Sequence, residues 1–240
     1  LWDTYFGGQS DDQVCDCFAF EDGPVIALGT TESPELFSLH SLTPVEPHIG
    51  NKDIFAATFS VEGELINGTF AGGEGDEEAS AIDINEFGQV FITGNTNSAS
   101  SISTGGAPFP NLSGPSDGFI MQLDTMYNVF WSTYFGGEGS DYIMDIDVEE
   151  ESDIFYIGGY TDGTIDLTVD TISAQTESGG QEDGFVAKLG ENGVHEWFTY
   201  SGGPENDRIV SIQLDIDTSL YAVGVTSSDT GIVFFDEDSV

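Results

Sequence analysis

Basic residues are nearly missing from this chain of 240 residues. Lys52, Lys188 and Arg208 stand against 44 Asp plus Glu, for a formal charge of −41. Such a surface repels nucleic acid phosphates and anionic lipid headgroups, which removes both as partners. It also rules out extended salt-bridge networks, so the carboxylates must be solvated, screened or neutralised by cations. Self-repulsion at this density weakens the compact state at low ionic strength, which points to a salty or calcium-containing milieu outside the cell. No apolar run of 18 residues exists, so no helix inserts directly into a membrane. HExxH is absent, and the Gly-x-Gly matches at Gly73 and Gly137 lead into strand-like runs, which excludes a zincin and a dinucleotide fingerprint. The chain starts at Leu1 and shows no signal peptide, as a processed or excised segment would.

What the chain does have is a repeat. A Gly-Gly pair ends the run at Gly7-Gly8, Gly72-Gly73, Gly136-Gly137 and Gly202-Gly203. An acid follows four positions after each pair: Asp12, Glu77, Asp141 and Asp207. Gly29, Gly94, Gly159 and Gly224 each close an apolar run and precede a Thr by two positions. Asp-x-Phe recurs at Asp53, Asp117 and Asp183. Three markers sharing one period of about 65 residues define repeats at 1–65, 66–129, 130–195 and 196–240. Each repeat contains four strand-like runs. Tyr142 to Val148 alternates, with Met144, Ile146 and Val148 assigned to one face and Asp145 and Asp147 to the other. Asp22-Gly23 and Asn192-Gly193 suit tight hairpins. The longest connections, 32–52 and 162–182, read as surface loops.

These features predict an all-β chain of four-stranded antiparallel units, a β-propeller or part of one, because a single sheet of this kind cannot bury both faces alone. The fourth repeat stops near Ile232-Val233-Phe234-Phe235 without an Asp-x-Phe. Either the N-terminal run Leu1 to Phe6 completes a four-bladed ring, or the units belong to a larger propeller.

The runs Trp131–Gly137, Tyr156–Thr161 and Asp183–Leu189 resemble the bacterial SBBP repeat, and the likeness extends over nearly the whole chain. The resemblance implies an extracellular or cell-surface β-propeller of the kind found in large exported proteins, often beside adhesion modules. It attaches no catalytic residue to the repeat. Asn67 departs from the pattern by standing where the other copies have Trp.

Residues that could carry chemistry are few. Cys15 and Cys17 align with hydrophobic positions of the other copies and are expected to pack inward. His40, His48 and His195 are scattered and read as surface residues. Calcium takes several carboxylate and carbonyl oxygens on loops, and Asp11, Asp12, Asp76, Glu77, Asp141 and Asp207 are the candidate ligands. Capping of the Gly-Gly turn is their structural alternative. Asn67 and Asn111 open N-glycosylation sequons, and Thr125 and Thr171 sit in Asp-Thr triplets that resemble an O-glycosylation signal. The expected function is non-catalytic: adhesion, binding of surface glycans or proteins, or structural self-assembly. A calcium-stabilised subunit of a filament or surface layer is one alternative. A carbohydrate-active enzyme using channel carboxylates is the other.

Overall fold

Runs of seven or eight apolar or alternating residues form the strands, and Gly, Asn and Asp turns separate them. The computed structural model describes residues 2–165 and 175–231. Strands β1 (Asp12–Ala19), β2 (Val25–Thr31), β3 (Asp53–Phe59) and β4 (Leu65–Ala71) form the first antiparallel sheet in chain order. The second holds β5 (Glu77–Ile84), β6 (Val90–Thr96), β7 (Asp117–Leu123) and β8 (Val129–Phe135). The third holds β9 (Asp141–Val148), β10 (Phe155–Thr161), β11 (Asp183–Leu189) and β12 (His195–Ser201). A two-stranded sheet, β13 (Asp207–Leu214) with β14 (Leu220–Thr226), follows. Among the described residues the chain is therefore all-β apart from one helical turn, α1 (Leu36–Leu39), and a 3-10 turn at Glu191–Gly193. Asn192 and Gly193 adopt φ of 58° and 74°, the left-handed pair that a tight hairpin demands.

The period-65 glycines have a steric cause. Gly29, Gly94, Gly159 and Gly224 each sit opposite a one-residue bulge in the first strand of their sheet, at Cys15, Ser80, Met144 and Val210. A Cβ on Gly159 would lie 1.9 Å from the Tyr142 carbonyl oxygen and 2.9 Å from Phe185 Cζ. On Gly29 it would lie 2.1 Å from the Gln13 carbonyl oxygen and 2.6 Å from Phe55 Cζ. Bulge, glycine and Asp-x-Phe ring are thus one packing unit.

The bulge corrects the face assignment in β9. Strict alternation puts Met144 with Ile146 and Val148, but the extra residue turns Met144 outward and brings Ile143 in. Buried positions facing the preceding sheet are Ile143, Ile146 and Val148 in β9, and Ile209 and Ile212 in β13.

The core lies between consecutive sheets. β5 packs on β1, β2 and β3; β9 packs on β5, β6 and β7; β13 packs on β9, β10 and β11. Ile82 and Ile84 join Ile26, Leu28 and Ile54 in one cluster, and Ile209 and Ile212 join Tyr156 and Val186 in another. Phe6 lies 5.5 Å from Phe55 and 5.3 Å from Phe59, as Phe135 lies 5.4 Å from Phe185. The N-terminal run therefore packs on the sheet that follows it, and among the described residues it forms no ladder with β14. Ile232 to Phe235 and Thr171 lie outside the described residues.

The fourth-strand edge of each full sheet is blocked. The long connection folds back on the fourth strand: Val45 N–H donates to the Gly68 carbonyl, Thr104 N–H to that of Ser132, and Tyr200 N–H to that of Gln175. The recurring hydroxyls of Thr69, Thr133 and Thr199 accept from the N–H of Glu46, Phe109 and Gln175. Besides presenting a surface, the loops remove an edge that would otherwise recruit foreign strands.

Candidate functional site

Polar groups that recur at the junctions between sheets form the most organised constellation. The second glycine of each pair donates its N–H to the acid four residues on: Gly8 to Asp12 at 2.6 Å, Gly73 to Glu77 at 2.7 Å, Gly137 to Asp141 at 2.7 Å and Gly203 to Asp207 at 2.6 Å. The Thr of the glycine-x-Thr run completes the latch. Thr31 donates to Asp12, Thr96 donates to Glu77 at 2.6 Å, and Thr161 bonds to Asp141. Ser33, Ser98 and Ser228 add a hydroxyl to the same acids in the first, second and fourth units.

A second carboxylate stands against each latch. Asp53, Asp117 and Asp183 are fully buried and accept from the loop before them: Asp53 from Ile49 and Gly50, Asp117 from Ser113 and Gly114, Asp183 from Gly179 and Gly180. The first glycine of the pair is wedged between the two acids. A Cβ on Gly72 would lie 2.5 Å from Glu77 Oε2 and 2.6 Å from Asp53 Oδ1. On Gly202 it would lie 2.0 Å from Asp183 Oδ1 and 3.0 Å from Asp207 Oδ2. Burial raises the proton affinity of Glu77 and Asp117, the nearby Asp53 adds to that of Glu77, and burial with the Asp117 charge pushes Asp141 up to about 6.

A further set of acids links the first strands of successive sheets. Asp16 accepts from Ile82 N–H at 3.0 Å, Asp83 from Val148 N–H at 2.7 Å, Asp145 from Ile212 N–H at 2.8 Å and Asp147 from Leu214 N–H at 2.7 Å. Each carboxylate thereby caps the open edge of the next sheet. Burial, reinforced by Asp147, pushes Asp83 up to about 7 against the opposing N–H bonds of Val148 and Ile84. Burial also raises Asp145 and Asp147.

No protein-family model matches this chain, and no curated protein sequence matches it. Its chemistry is therefore read from its own geometry.

Of the six candidate calcium ligands, Asp12, Glu77, Asp141 and Asp207 are the latch acids: each accepts from N–H or O–H donors through at least one oxygen, while Oδ1 of Asp141 and of Asp207 is buried without a hydrogen-bond partner. Asp11 is exposed, and its carbonyl accepts from Glu32 N–H. Asp76 lies in an open cleft of about 610 Å³ between the loops of the first two sheets, with Glu32, His48 and Lys52. Among the described residues no group of three or more His, Cys, Asp or Glu side chains is arranged to hold a metal ion. Thermal melts in sodium chloride and calcium chloride at matched ionic strength are expected to coincide, because general screening relieves the charge and the described residues gather no group of three or more side chains able to hold the ion. A calcium-specific rise of several degrees would instead place the ion at the corners.

Other candidates land as follows. Asn67 is half-buried within β4, its Oδ1 accepting from Gly68 N–H, and Thr69 of its sequon is buried. Asn111 and Thr125 are exposed on turns, where a glycan acceptor must be. His48 departs from the surface reading: its side chain is only 6% exposed, 3.7 Å from Asp53 Oδ2 and edge-on to Phe70. Cys15 and Cys17 are free and exposed instead of inward, because no described sheet precedes β1 and Cys15 is the bulge residue. The three basic residues all find acids: Lys52 meets Glu78, Lys188 meets Glu149 and Glu196, and Arg208 meets Glu182 while covering the Tyr160 ring.

The linking acids Asp16 and Asp83 and the loop-capping acids Asp53, Asp117 and Asp183 are the polar residues that sequence reasoning did not assign a role. Their signal was present in the Asp-x-Phe period and in the acids at alternate positions of the first strand.

Proposed function

We propose that the chain is a non-catalytic, β-propeller-type scaffold of an extracellular or cell-surface protein, serving adhesion, binding or assembly through its loops. The observation that carries this reading is the employment of the recurrent polar groups. The latch acids, their Thr partners, the Asp-x-Phe acids and the linking acids hold one sheet on the next or cap a turn, which leaves the non-repeating loop tips as the variable surface. The extreme acidity favours a screened, extracellular setting, and the resemblance to SBBP repeats agrees with it. No helix among the described residues is long and apolar enough to cross a membrane.

A glycan array and a panel of immobilised surface proteins, probed with the intact chain, test this reading. Exchanging the exposed loop residues Leu39 and Ile49 for serine is expected to weaken binding and leave the melting temperature nearly unchanged. Polysaccharide cleavage by the wild type that disappears in Asp83→Asn would replace the scaffold reading with the carbohydrate-active enzyme.

A further inference from the structure

The main chain builds the junction between consecutive sheets in the same way three times. The latch acid donates its N–H to the carbonyl of the residue before the Asp-x-Phe aspartate: Glu77 to Lys52 at 2.9 Å, Asp141 to Ser116 at 2.9 Å and Asp207 to Glu182 at 2.8 Å. Gly50, Gly114 and Gly180, three residues before those aspartates, abut the carbonyls of Gly75, Gly139 and Glu205 so closely that none has room for a Cβ. Such contacts hold any sheet of this pattern on any other. A chain of repeated units joined by them is exposed to docking out of order and to swapping between copies.

The side chains at this place differ, and their charges are ordered. At the first junction Lys52 reaches Glu78, the residue after the latch acid, with Nζ 3.4 Å from Oε1. At the third junction the signs are exchanged. Glu182 stands at the position of Lys52 and Arg208 at that of Glu78, and Arg208 Nε donates to Glu182 Oε2 at 2.6 Å. The second junction has Ser116 and Tyr142 there, and so no ion pair. Two of the three basic residues of the chain therefore stand at one and the same junction position, on opposite sides of it. Both pairs are open to water, with Glu78 66% and Arg208 41% exposed, and exposed pairs add little to native stability. What they do distinguish is the order of docking. The loop before β3 laid on β13 would set Lys52 against Arg208. The loop before β11 laid on β5 would set Glu182 against Glu78.

We propose that the Lys52–Glu78 and Glu182–Arg208 pairs, by their opposite polarity, form a sorting code that makes each sheet dock on its own successor and rejects the alternative partner, within one chain and between two. Each correct junction gains an attraction, and each exchanged junction meets two like charges. Specificity of this kind comes from the penalty on the wrong partner as much as from the contact with the right one. The code acts while the sheets choose neighbours, so its loss shows in the outcome of folding and leaves the melting of the correctly folded protein nearly unchanged.

The test refolds the full chain from urea under reducing conditions at ~0.15 M salt, where charges in contact still act on each other. Size-exclusion chromatography and thermal melts then give the misdocked fraction, counted as dimer plus monomer that melts early. Lys52→Glu with Glu78→Lys keeps an ion pair at the first junction and keeps the net charge, but gives that pair the polarity of the third. Its native monomer should melt like the wild type, while the misdocked fraction rises about fivefold, the order expected from one exposed ion pair gained by the wrong partner. Glu182→Arg with Arg208→Glu erases the difference from the other side and should raise the same fraction. Combining all four substitutions restores opposite polarity and should return the fraction to the wild-type value. Local damage from the substitutions would instead accumulate in the fourfold variant, so the two causes are separable. At 1 M salt, with a Debye length of ~3 Å, the four proteins should refold alike. Either twofold variant refolding as cleanly as the wild type overturns the proposal, as does a fourfold variant that refolds no better than the twofold ones.

Discussion

Substituting Gly159 with valine is expected to lower stability by at least about 3 kcal/mol, the range of severe overpacking in a well-packed core. At ~2–4 °C per kcal/mol for a chain of this size, the melting temperature should fall by roughly 6–12 °C. The cause is local and rigid. A Cβ would lie 1.9 Å from the Tyr142 carbonyl oxygen and 2.9 Å from Phe185 Cζ. The carbonyl belongs to the bulged strand, which cannot retreat without lifting Ile143 and Ile146 from the second sheet. Gly105→Ala supplies the control, since nothing lies within 4 Å of a Cβ there. Equal melting temperatures for the two variants would remove the steric explanation of the 65-residue glycine period.

Acidification from pH 8 to pH 5 is expected to stabilise this protein, the reverse of the behaviour of carboxylates held in salt bridges. Burial and the Asp147 charge push Asp83 up to about 7, and burial with neighbouring charge pushes Asp141 up to about 6. The unfolded chain releases these protons near pH 4, whereas the folded chain holds them two to three pH units higher. Between those values the folded state binds more protons, so its stability is full below pH ~4 and is lost as pH rises toward 7. At ~1.4 kcal/mol per unit, Asp83 alone contributes on the order of a few kcal/mol. Glu77, Asp117, Asp145 and Asp147 shift in the same direction. His195, lowered by burial, opposes them below its ordinary range. Denaturant titrations at pH 5, 6, 7 and 8 should show the midpoint falling with pH, and Asp83→Asn should flatten that slope. A midpoint that rises with pH would mean the linking acids are ionised in the folded state.

The two predictions meet in one feature of the fold. Each sheet is joined to the next by apolar side chains and by carboxylates that accept main-chain N–H bonds, in a chain with almost no basic residue to pair them. Carboxylates in such places either carry a proton or carry a cost. An acidic or strongly screened medium relieves both.

How far the sequence reached varied from element to element. The strands of the third sheet and the hairpin at Asn192-Gly193 were legible, because left-handed φ and alternating apolarity act over a few residues; the Gly-Gly pairs were legible as a repeat, and their cause is the lack of room for a Cβ between the two acids. Cys17 was misplaced by a sound alignment. Its counterparts Ile82, Ile146 and Ile212 are buried by a preceding sheet, and a position in a repeat does not reveal whether that neighbour exists. Met144 was misplaced because a bulge adds one residue to a strand without leaving a local signature. His48 was read as a surface residue because its loop looks polar, whereas the fold tucks the ring against Asp53 and Phe70.

The sequence by itself determined the all-β class, the 65-residue unit and the recurrence of its glycines and acids, since each depends on steric and hydrophobic patterns repeated along the chain. Only the tertiary structure decided what the recurring acids do. Whether Asp83 meets water, a metal or the Val148 N–H depends on which sheet comes to rest beside it, and that is settled by contacts between residues about 65 positions apart.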